Sequence, residues 1–335
     1  MLKEFIMKKI FKITALAHPN LAFIKYWGKK DEGLNLPANT SISVNLSNLY
    51  TITTIEFSEI FSSDQIKINQ EENQKEILRV VKYLDLIRKK AGINWKAKVV
   101  SQNNFPKAAG FASSASGFAA LTLAATQALG LNLSEKELTI LARLGSGSAC
   151  RSIPDGFVEW KKGEESEDSY AYSIFPANYW KLSIFALFLK TSEKKVSSSE
   201  GHRLASTSPF FKTRIKKIDK KIILLKKFIK ERNFVNFGNL IENEALEMHA
   251  IMFTSRPSLI YWDEKTIKLI KFVYELRMKK FPVYFTIDAG PNPYLICEEK
   301  NEKNLLKELK KINSIKNIII NYPNSGAKII KKDLF

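Results

Sequence analysis

The stretch NNFPKAAGFASSASGFAAL, residues 103–121, places proline, glycine and serine directly before an alanine-rich run with the composition of a helix. The first turn of a helix leaves backbone N–H groups without partners and carries partial positive charge, so a phosphate fits there. Gly110 permits a close approach of the backbone to such an anion. Hydroxyls for phosphate oxygens or for a metal ion come from Ser113, Ser114 and Ser116. The alternative is an ordinary capped helix whose serines bond only their own backbone. The stretch contains neither a GxGxxG motif nor the GK[ST] ending of a Walker loop.

Length and composition indicate a globular protein with two domains, or one large domain with two lobes. The chain has 335 residues, of which 45% are hydrophobic, 11% aromatic and 26% charged. Lys and Arg number 53 against 34 Asp and Glu, and the net charge of +19 attracts nucleic acid, acidic lipid or phosphorylated metabolites. Because the lysines are spread along the chain, we favour a general lysine-rich bias over a nucleic-acid-binding surface.

The N-terminal stretch MLKEFIMKKIFKITALA has the basic start and apolar residues of a signal peptide. Lys12 interrupts the apolar run, and IFKITALA alternates as a strand does, so we expect no leader and a start at Met1 or Met7. No run reaches the roughly 18 to 20 apolar residues of a membrane span. The only two cysteines, Cys150 and Cys297, argue against a disulfide framework. Together these features predict a cytoplasmic protein that does not bind membranes.

Hydrophobic periodicity predicts two successive groups of strands and helices. The first group has strands at 10–17, 41–46 and 50–58, helices at 74–90, 114–129 and 135–144, and strands at 155–161 and 180–190 that close this lobe. Ser134 with Glu137 predicts a capping box for the third helix. The second group has helices within 214–234, 236–253 and 264–278, two strands around the turn DAGPN, a helix at 302–312 and a strand at 316–321.

Three further stretches carry polar residues that a plain scaffold does not need. In HPNLAFIKYWGKK, residues 18–30, a basic and aromatic clamp for an anionic substrate is predicted from Lys25, Tyr26 and Lys29. GSGSACRS, residues 145–152, leads into Arg151, which suits two-point binding of a carboxylate or phosphate but also a structural ion pair. DAGPN, residues 288–292, places Asp288 at a strand end, either as a general base or as a turn residue.

With the loop at 103–121, these stretches indicate an enzyme that transfers a phosphoryl group to or from a small acidic molecule. The three histidines lie far apart in sequence, without partners at metal-ligand spacing. We therefore predict packing or hydrogen-bonding roles for His18, His202 and His249.

The order of these motifs resembles that of the mevalonate diphosphate decarboxylases, a family of the GHMP small-molecule kinase superfamily. PKAAGFASSA, residues 106–115, resembles the superfamily loop P-x-x-x-G-L-x-S-S-A, with Phe111 in place of the leucine. The other matching blocks are HPNLAFIKYWGKKD, LPANTSISVNL, LARLGSGSACRSIPDGFVEW and TIDAGPNPYL, so the resemblance spans residues 17 to about 296. KYWGK and GSGSACRS are the most specific of them.

The resemblance implies an α+β, two-lobed GHMP fold. Its N-terminal lobe, residues 1–188, is expected to be like domain 2 of ribosomal protein S5, and residues 189–335 are expected to form a ferredoxin-like C-terminal lobe. The implied activity is ATP- and Mg²⁺-dependent decarboxylation of mevalonate 5-diphosphate to isopentenyl diphosphate, with ADP, phosphate and CO₂ as the other products. The implied partners are phosphorylated mevalonate, ATP and a second subunit in a homodimer.

The family's roles carry over to matching residues of this sequence. Asp288 matches the aspartate that orients or deprotonates the 3-hydroxyl, Arg151 matches the arginine that holds the substrate carboxylate, and Asn20 matches the asparagine that contacts both that arginine and the carboxylate. The role implied for Lys25 is to add charge near the transferred phosphoryl group. The implied contacts of the 5-diphosphate are Tyr26, Lys29, Ser146, Gly147, Ser148, Ser198 and Ser199. The implied contacts of ATP are Pro106, Ala108, Ala109, Gly110, Phe111, Ala112, Ser113, Ser114 and Ser116, with Mg²⁺ at Ser113 and Ser114.

One departure from the family pattern leaves the substrate open. Some bacterial members carry arginine at the position of Ser199, and EGHR, residues 200–203, resembles the same segment in enzymes that decarboxylate mevalonate 5-phosphate. A monophosphate decarboxylase that makes isopentenyl phosphate is therefore the first alternative. A mevalonate 3-kinase and a basic nucleic-acid-binding protein are more distant ones, and the last would be stabilised by RNA rather than by ATP and phosphorylated mevalonate.

Overall fold

A computed structural model describes residues 12–69, 73–105, 113–189 and 196–335. The strands of the N-terminal lobe are β1 (Lys12–Ala17), β2 (Asn20–Ile24), β3 (Lys29–Asp31), β4 (Leu36–Pro37), β5 (Ser41–Asn45), β6 (Thr51–Ser58), β7 (Gln65–Ile68), β8 (Lys96–Asn103), β9 (Phe157–Trp160) and β10 (Ala171–Phe175). Its helices are α1 (Gln74–Ala91), α2 (Ser113–Ala128) and α3 (Glu135–Gly145). The later elements are β11 (Leu182–Leu189), α4 (Ser198–Leu204), α5 (Phe211–Lys230), α6 (Phe234–Thr254), α7 (Glu264–Met278), β12 (Tyr284–Ile287), β13 (Pro293–Glu298), α8 (Glu302–Leu309), β14 (Ile315–Asn321) and β15 (Lys328–Ile330).

The N-terminal lobe packs α2 against a five-stranded sheet of order β15-β1-β6-β8-β7. The alanines of α2 permit this close approach, and Ala119, Ala120 and Ala124 are fully buried in the shared core. The predicted capping box starts α3, since the Ser134 hydroxyl accepts from the Glu137 N–H and the Glu137 carboxylate accepts from the Ser134 N–H. This packing brings the starts of α2 and α1 to one edge of the lobe.

The C-terminal lobe has an antiparallel sheet of order β12-β13-β11-β14. Helices lie between β11 and β12 and between β13 and β14, so the lobe has the βαββαβ order of a ferredoxin-like fold. A second sheet of the N-terminal lobe, β10-β9-β5-β2, shares one hydrophobic core with this lobe, which includes Phe23, Phe157, Phe185 and Phe237. The predicted α+β, two-lobed fold is confirmed.

Two pairings differ from the prediction. The strand predicted at 180–190 does not close the N-terminal lobe, because β11 lies in the middle of the C-terminal sheet between β13 and β14. Its sequence LSIFALFL is buried at every position, as expected of a strand covered on both faces. The last strand, β15, returns to the N-terminal lobe and pairs with β1. The predicted domain boundary at residue 188 stays a prediction.

Among the helices of the described ranges, none combines the length and apolar character needed to cross a bilayer. Both cysteines are free and buried.

Candidate active site

A cleft of about 930 Å³ lies between the lobes and collects most of the residues singled out in the sequence. The β2 end, the 3₁₀ helix at Gly147–Ser152, the start of α2, α4 and the turn after β12 all contribute to its wall. The predicted residues that line it are Asn20, Lys25, Tyr26, Lys29, Ser113, Ser114, Ser146, Gly147, Ser148, Arg151, Ser198, Ser199 and Asp288. Residues separated by more than 250 positions in the sequence therefore meet at one site.

Other predicted nucleotide contacts do not appear in this wall. Ser116 is fully buried, and its hydroxyl lies 2.6 Å from the Thr51 hydroxyl, so it joins α2 to β6 and faces away from the cleft. The expectation of a nucleotide contact from the Ser116 side chain thus disagrees with its position, because this serine lies on the sheet-facing side of the helix. The remaining predictions lie outside the described residues: Pro106, Ala108, Ala109, Gly110, Phe111 and Ala112.

Lys25 and Asp288 form an ion pair at the floor of the cleft. The distance from Lys25 Nζ to Asp288 Oδ1 is 2.6 Å, and the lysine side chain is 1% exposed while the aspartate is 24% exposed. Burial lowers the pKa of Lys25, and the neighbouring Asp288 carboxylate opposes that shift. Asp288 therefore presents a carboxylate to the cleft with a buried cation behind it.

Arg151 is a buried guanidinium that hydrogen bonds neutral groups. Its Nε donates to Asn20 Oδ1 at 3.0 Å and its Nη1 donates to Ser41 Oγ at 2.5 Å, while its Cζ lies 5.7 Å from the Trp160 ring centre. Burial lowers the pKa of Arg151. Among the described residues, no carboxylate lies within 4 Å of its nitrogens. Because a buried charge normally has a counter-ion, this geometry is suited to an anion entering from the cleft.

Tyr26 and Gly147 form another part of the cleft wall. The Tyr26 hydroxyl is buried without a hydrogen-bond partner among the residues that the structure describes, and burial raises the pKa of this phenol, which keeps it protonated as a donor. A Cβ atom at Gly147 would lie 2.7 Å from the Tyr26 hydroxyl, which is closer than real Cβ atoms approach, so only glycine permits this packing of the tyrosine ring. A buried donor without a described partner, on a residue that lines the cleft, suits a ligand oxygen.

His202 extends this wall and was missed as a site residue in the sequence. Its ring lies between Tyr26 and Trp27, with centroid distances of 4.2 and 4.5 Å. The Gly28 N–H donates to His202 Nδ1 at 3.1 Å, so the neutral ring carries its proton on Nε2. Burial, with Lys29 and Arg151 nearby, lowers the pKa of His202 to about 3. Packing and hydrogen bonding are thus observed, as predicted, but on the wall of the cleft.

Basic side chains of α1 form a second set that sequence reasoning missed. Lys75, Arg79 and Lys82 line the cleft together with the start of α2. Their spacing of four and three residues places them on one helix face. This spacing is the sequence feature from which a basic surface on α1 could have been predicted. The Arg79 guanidinium donates to Gly145 O at 2.7 Å and lies 4.5 Å from the Phe118 ring centre, so it is held in place. The cleft is strongly positive.

Oxygen atoms suited to a hard cation lie at the start of α2. Ser113 and Ser114 begin that helix at the cleft, and the Ser146 hydroxyl lies 3.2 Å from the Ser114 hydroxyl. Mg²⁺ prefers oxygen ligands and is commonly held by few protein groups together with substrate phosphates. In the described part of the chain, no three His, Cys, Asp or Glu residues form a metal-binding cluster. The serine hydroxyls fit a metal that arrives with a phosphorylated ligand.

The fold and the cleft define a two-lobed α+β protein built around a positively charged site for a small anionic molecule. Family models agree in both lobes: residues 17–171 match the diphosphomevalonate decarboxylase-like N-terminal domain, and residues 184–331 match the mevalonate 5-diphosphate decarboxylase C-terminal domain. The chain belongs to the mevalonate diphosphate decarboxylase family, as its motifs predict.

Individual relatives cover nearly the whole chain. The diphosphomevalonate decarboxylase of Debaryomyces hansenii is 37% identical over 318 residues, and the match covers 89% of this chain and 82% of that protein. The mevalonate diphosphate decarboxylase structure from Staphylococcus aureus is 40% identical with a TM-score of 0.91, covering 96% and 98% of the two chains. A structure of MDDEF in complex with MVAPP, AMPPCP and magnesium has the same identity and TM-score, covering 96% and 99%.

Proposed function

We propose that the protein catalyses ATP-dependent decarboxylation of mevalonate 5-diphosphate to isopentenyl diphosphate, ADP, phosphate and CO₂ in the mevalonate pathway. The observation that carries the proposal is the buried Arg151, which has no carboxylate partner among the described residues and shares the cleft with the Lys25–Asp288 pair. A substrate with one carboxylate and one hydroxyl to be phosphorylated uses both features. Arg151 binds the carboxylate through two N–H groups, and Asn20 fixes the guanidinium.

Asp288 acts on the 3-hydroxyl. Its carboxylate orients that hydroxyl and accepts its proton as the oxygen forms a bond to phosphorus. Lys25 Nζ, 2.6 Å from Asp288 Oδ1, holds the carboxylate and places positive charge where negative charge develops. When bound, ATP supplies the phosphoryl group and Mg²⁺ offsets the charge of its phosphates. Phosphate is a far better leaving group than hydroxide, and its departure from a tertiary carbon draws electrons from the carboxylate held by Arg151.

The starts of α2 and α1 suit the nucleotide. Hydroxyls of Ser113 and Ser114 lie where the helix presents its unpaired N–H groups, and the α1 cations line the same cleft. We propose that the Ser113 and Ser114 oxygens would hold Mg²⁺; the nucleotide contacts predicted within residues 106–112 lie outside the described residues and stay predictions. The homodimer and the cytoplasmic location stay predictions.

The Tyr26 hydroxyl is expected to bind the 5-diphosphate, and Tyr26→Phe tests this role. In the described part of the chain this buried hydroxyl has no partner, so its removal relieves a desolvation cost and should leave the melting temperature of the free protein equal or higher. With substrate the variant lacks one hydrogen bond to an anion, worth about 1.5 to 3 kcal/mol, and KM should rise about 10- to 100-fold. Steady-state kinetics and thermal denaturation are the measurements. A lower melting temperature with an unchanged KM would assign the hydroxyl a structural role.

The substrate is tested by release of ADP and CO₂ from the purified protein with ATP and Mg²⁺. We expect kcat/KM to be about 10- to 100-fold higher with mevalonate 5-diphosphate than with mevalonate 5-phosphate, because each charged hydrogen bond to the additional phosphate contributes about 1.5 to 3 kcal/mol. The reverse ratio would favour the monophosphate alternative. Two observations favour retaining the monophosphate alternative. Ser199 stands where some members have an arginine, and the arginine that helix α4 does contain, Arg203, pairs through Nε with Glu32 at 2.9 Å.

A further inference from the structure

A buried ion network from the C-terminal lobe holds the backbone of Lys25 on both sides. The Lys25 N–H donates to Glu244 Oε1 at 3.2 Å, and Lys25 O accepts from Arg214 Nη2 and from Asn39 Nδ2, both at 2.9 Å. Arg214 also donates to Glu244 and, at 3.2 Å, to Asn39 Oδ1. All four side chains are 3% exposed or less. The peptide groups flanking Lys25 therefore have their hydrogen-bonding atoms fixed from two helices of the other lobe, α5 and α6.

Helix α6, which contains Glu244, also contacts the backbone of Asp288. His249 of α6, five residues beyond Glu244, lies with Nε2 3.1 Å from Asp288 O. α6 thus touches the main chain of both members of the Lys25–Asp288 pair, whose charged atoms meet across the lobe boundary. The position of Lys25 Nζ relative to Asp288 depends on how α6 sits against β2.

Stability alone gives little reason for such a network. Desolvation of two buried charges roughly cancels their attraction, so a buried ion pair adds little net stability compared with apolar side chains of similar size. Its geometric effect is larger, because charged hydrogen bonds restrict the distance and direction of the groups they join. A displacement of 1 Å at a reacting group costs about 100-fold in rate.

We infer that Glu244 and Arg214 are positioning residues that fix the Lys25 backbone and thereby set the contact between Lys25 Nζ and Asp288. The inference rests on the proposed function, in which that contact serves the 3-hydroxyl. It extends the site beyond the cleft, since neither Glu244 nor Arg214 lines the cavity. In this inference, α6 aligns Lys25 of the N-terminal lobe with Asp288 of the C-terminal lobe.

Two variants of Glu244 separate geometry from charge. Glu244→Asp keeps the negative charge for Arg214 and for Lys221, which donates to Glu244 Oε2 at 2.6 Å, but withdraws the oxygen from the Lys25 N–H by about 1.5 Å. Glu244→Gln keeps the reach and loses the charge. We expect E244D to lower kcat about 10- to 100-fold with the substrate KM within about threefold, and E244Q to retain more activity than E244D. A wild-type kcat in E244D, or a larger loss in E244Q, would overturn the positioning role.

Glu247 supplies the matched control. It lies on the same helix and accepts from the same Lys221 at 2.5 Å, but its side chain is 40% exposed and it makes no bond to Lys25. Glu247→Asp and Glu247→Gln should keep kcat within about twofold. Should E244D fail to fold, Asn39→Ala decides, since it removes the amide that donates to Lys25 O and accepts from Arg214 but leaves every charge of the network in place: a reduced kcat at constant KM supports the inference, and a wild-type kcat contradicts it.

Hydrogen exchange of the Lys25 amide tests the same contact without substrate. This N–H should exchange faster in E244D than in wild type or E247D, because it loses its buried acceptor. Equal exchange in all three proteins would overturn the inference whatever the kinetics show. If the wild-type protein releases no CO₂ from either phosphorylated mevalonate, the proposed function fails, and the exchange measurement still decides whether Glu244 holds Lys25.

Discussion

Asp288→Asn is expected to lower kcat about 100- to 10,000-fold, the contribution of a general base, while the substrate dissociation constant stays within about threefold. Asparagine has the shape of aspartate but cannot accept the hydroxyl proton, and the ammonium of Lys25, 2.6 Å away, loses its counter-charge. Binding is retained because the carboxylate and the diphosphate of the substrate are held by other residues in the proposed arrangement. Single-turnover formation of ADP and CO₂, with calorimetric titration of substrate, measures both quantities.

Glu32→Gln is the matched control, since Glu32 also lines the cleft but pairs with Arg203 in an exposed ion pair. We expect its kcat to stay within about threefold of wild type, as exposed pairs contribute little. If D288N kept more than about a tenth of the wild-type kcat, Asp288 would be a turn residue rather than the base. Equal losses in both variants would indicate that the net charge of the cleft, and not a proton transfer, limits turnover.

Local signals predicted much of the fold. The capping box of Ser134 and Glu137 and the alanine-rich face of α2 each depend on residues close in sequence, and the structure has both. The pairing of β11 and β15 could not be predicted in this way, because it depends on which distant strand lies beside each edge. The continuous burial of LSIFALFL was a signal for a central strand, but it does not tell which sheet contains it.

In the candidate site, too, residues in local sequence motifs were predicted, and contacts that depend on the packing of distant segments were not. Arg151, Tyr26 and Asp288 were found because each stands in a distinctive motif, and the structure brings them to one cleft. The α1 cations have no such motif, and their helical spacing also fits an ordinary solvated face. Glu244 is 219 positions from Lys25, within a helix whose sequence shows only ordinary periodicity, so its contact with the Lys25 N–H follows from the packing of the lobes alone.

Arg151→Met is expected to lower kcat/KM about 30- to 5,000-fold, because loss of one partner of a buried charge pair costs about 2 to 5 kcal/mol. The unliganded protein should lose little stability. Arg151 is a buried cation that has no carboxylate within 4 Å among the described residues, so its removal also removes a desolvation cost. That gain in free energy offsets the loss of the two hydrogen bonds to Asn20 and Ser41. We therefore expect the melting temperature without ligand to stay within about 5 °C, and the shift produced by mevalonate 5-diphosphate to disappear.

Arg151→Lys separates charge from geometry at this position. A lysine keeps the positive charge but cannot offer two parallel N–H groups to a carboxylate, so it should recover more of the substrate affinity than of kcat. The contrast with D288N then tests the two assignments together. Arg151 variants should change substrate binding and turnover, whereas D288N should change turnover alone. If mevalonate 5-diphosphate stabilised R151M as much as it stabilises the wild type, the substrate carboxylate would be assigned to other residues. The Arg151 guanidinium, which has no carboxylate within 4 Å among the described residues, would then be assigned to the transferred phosphoryl group.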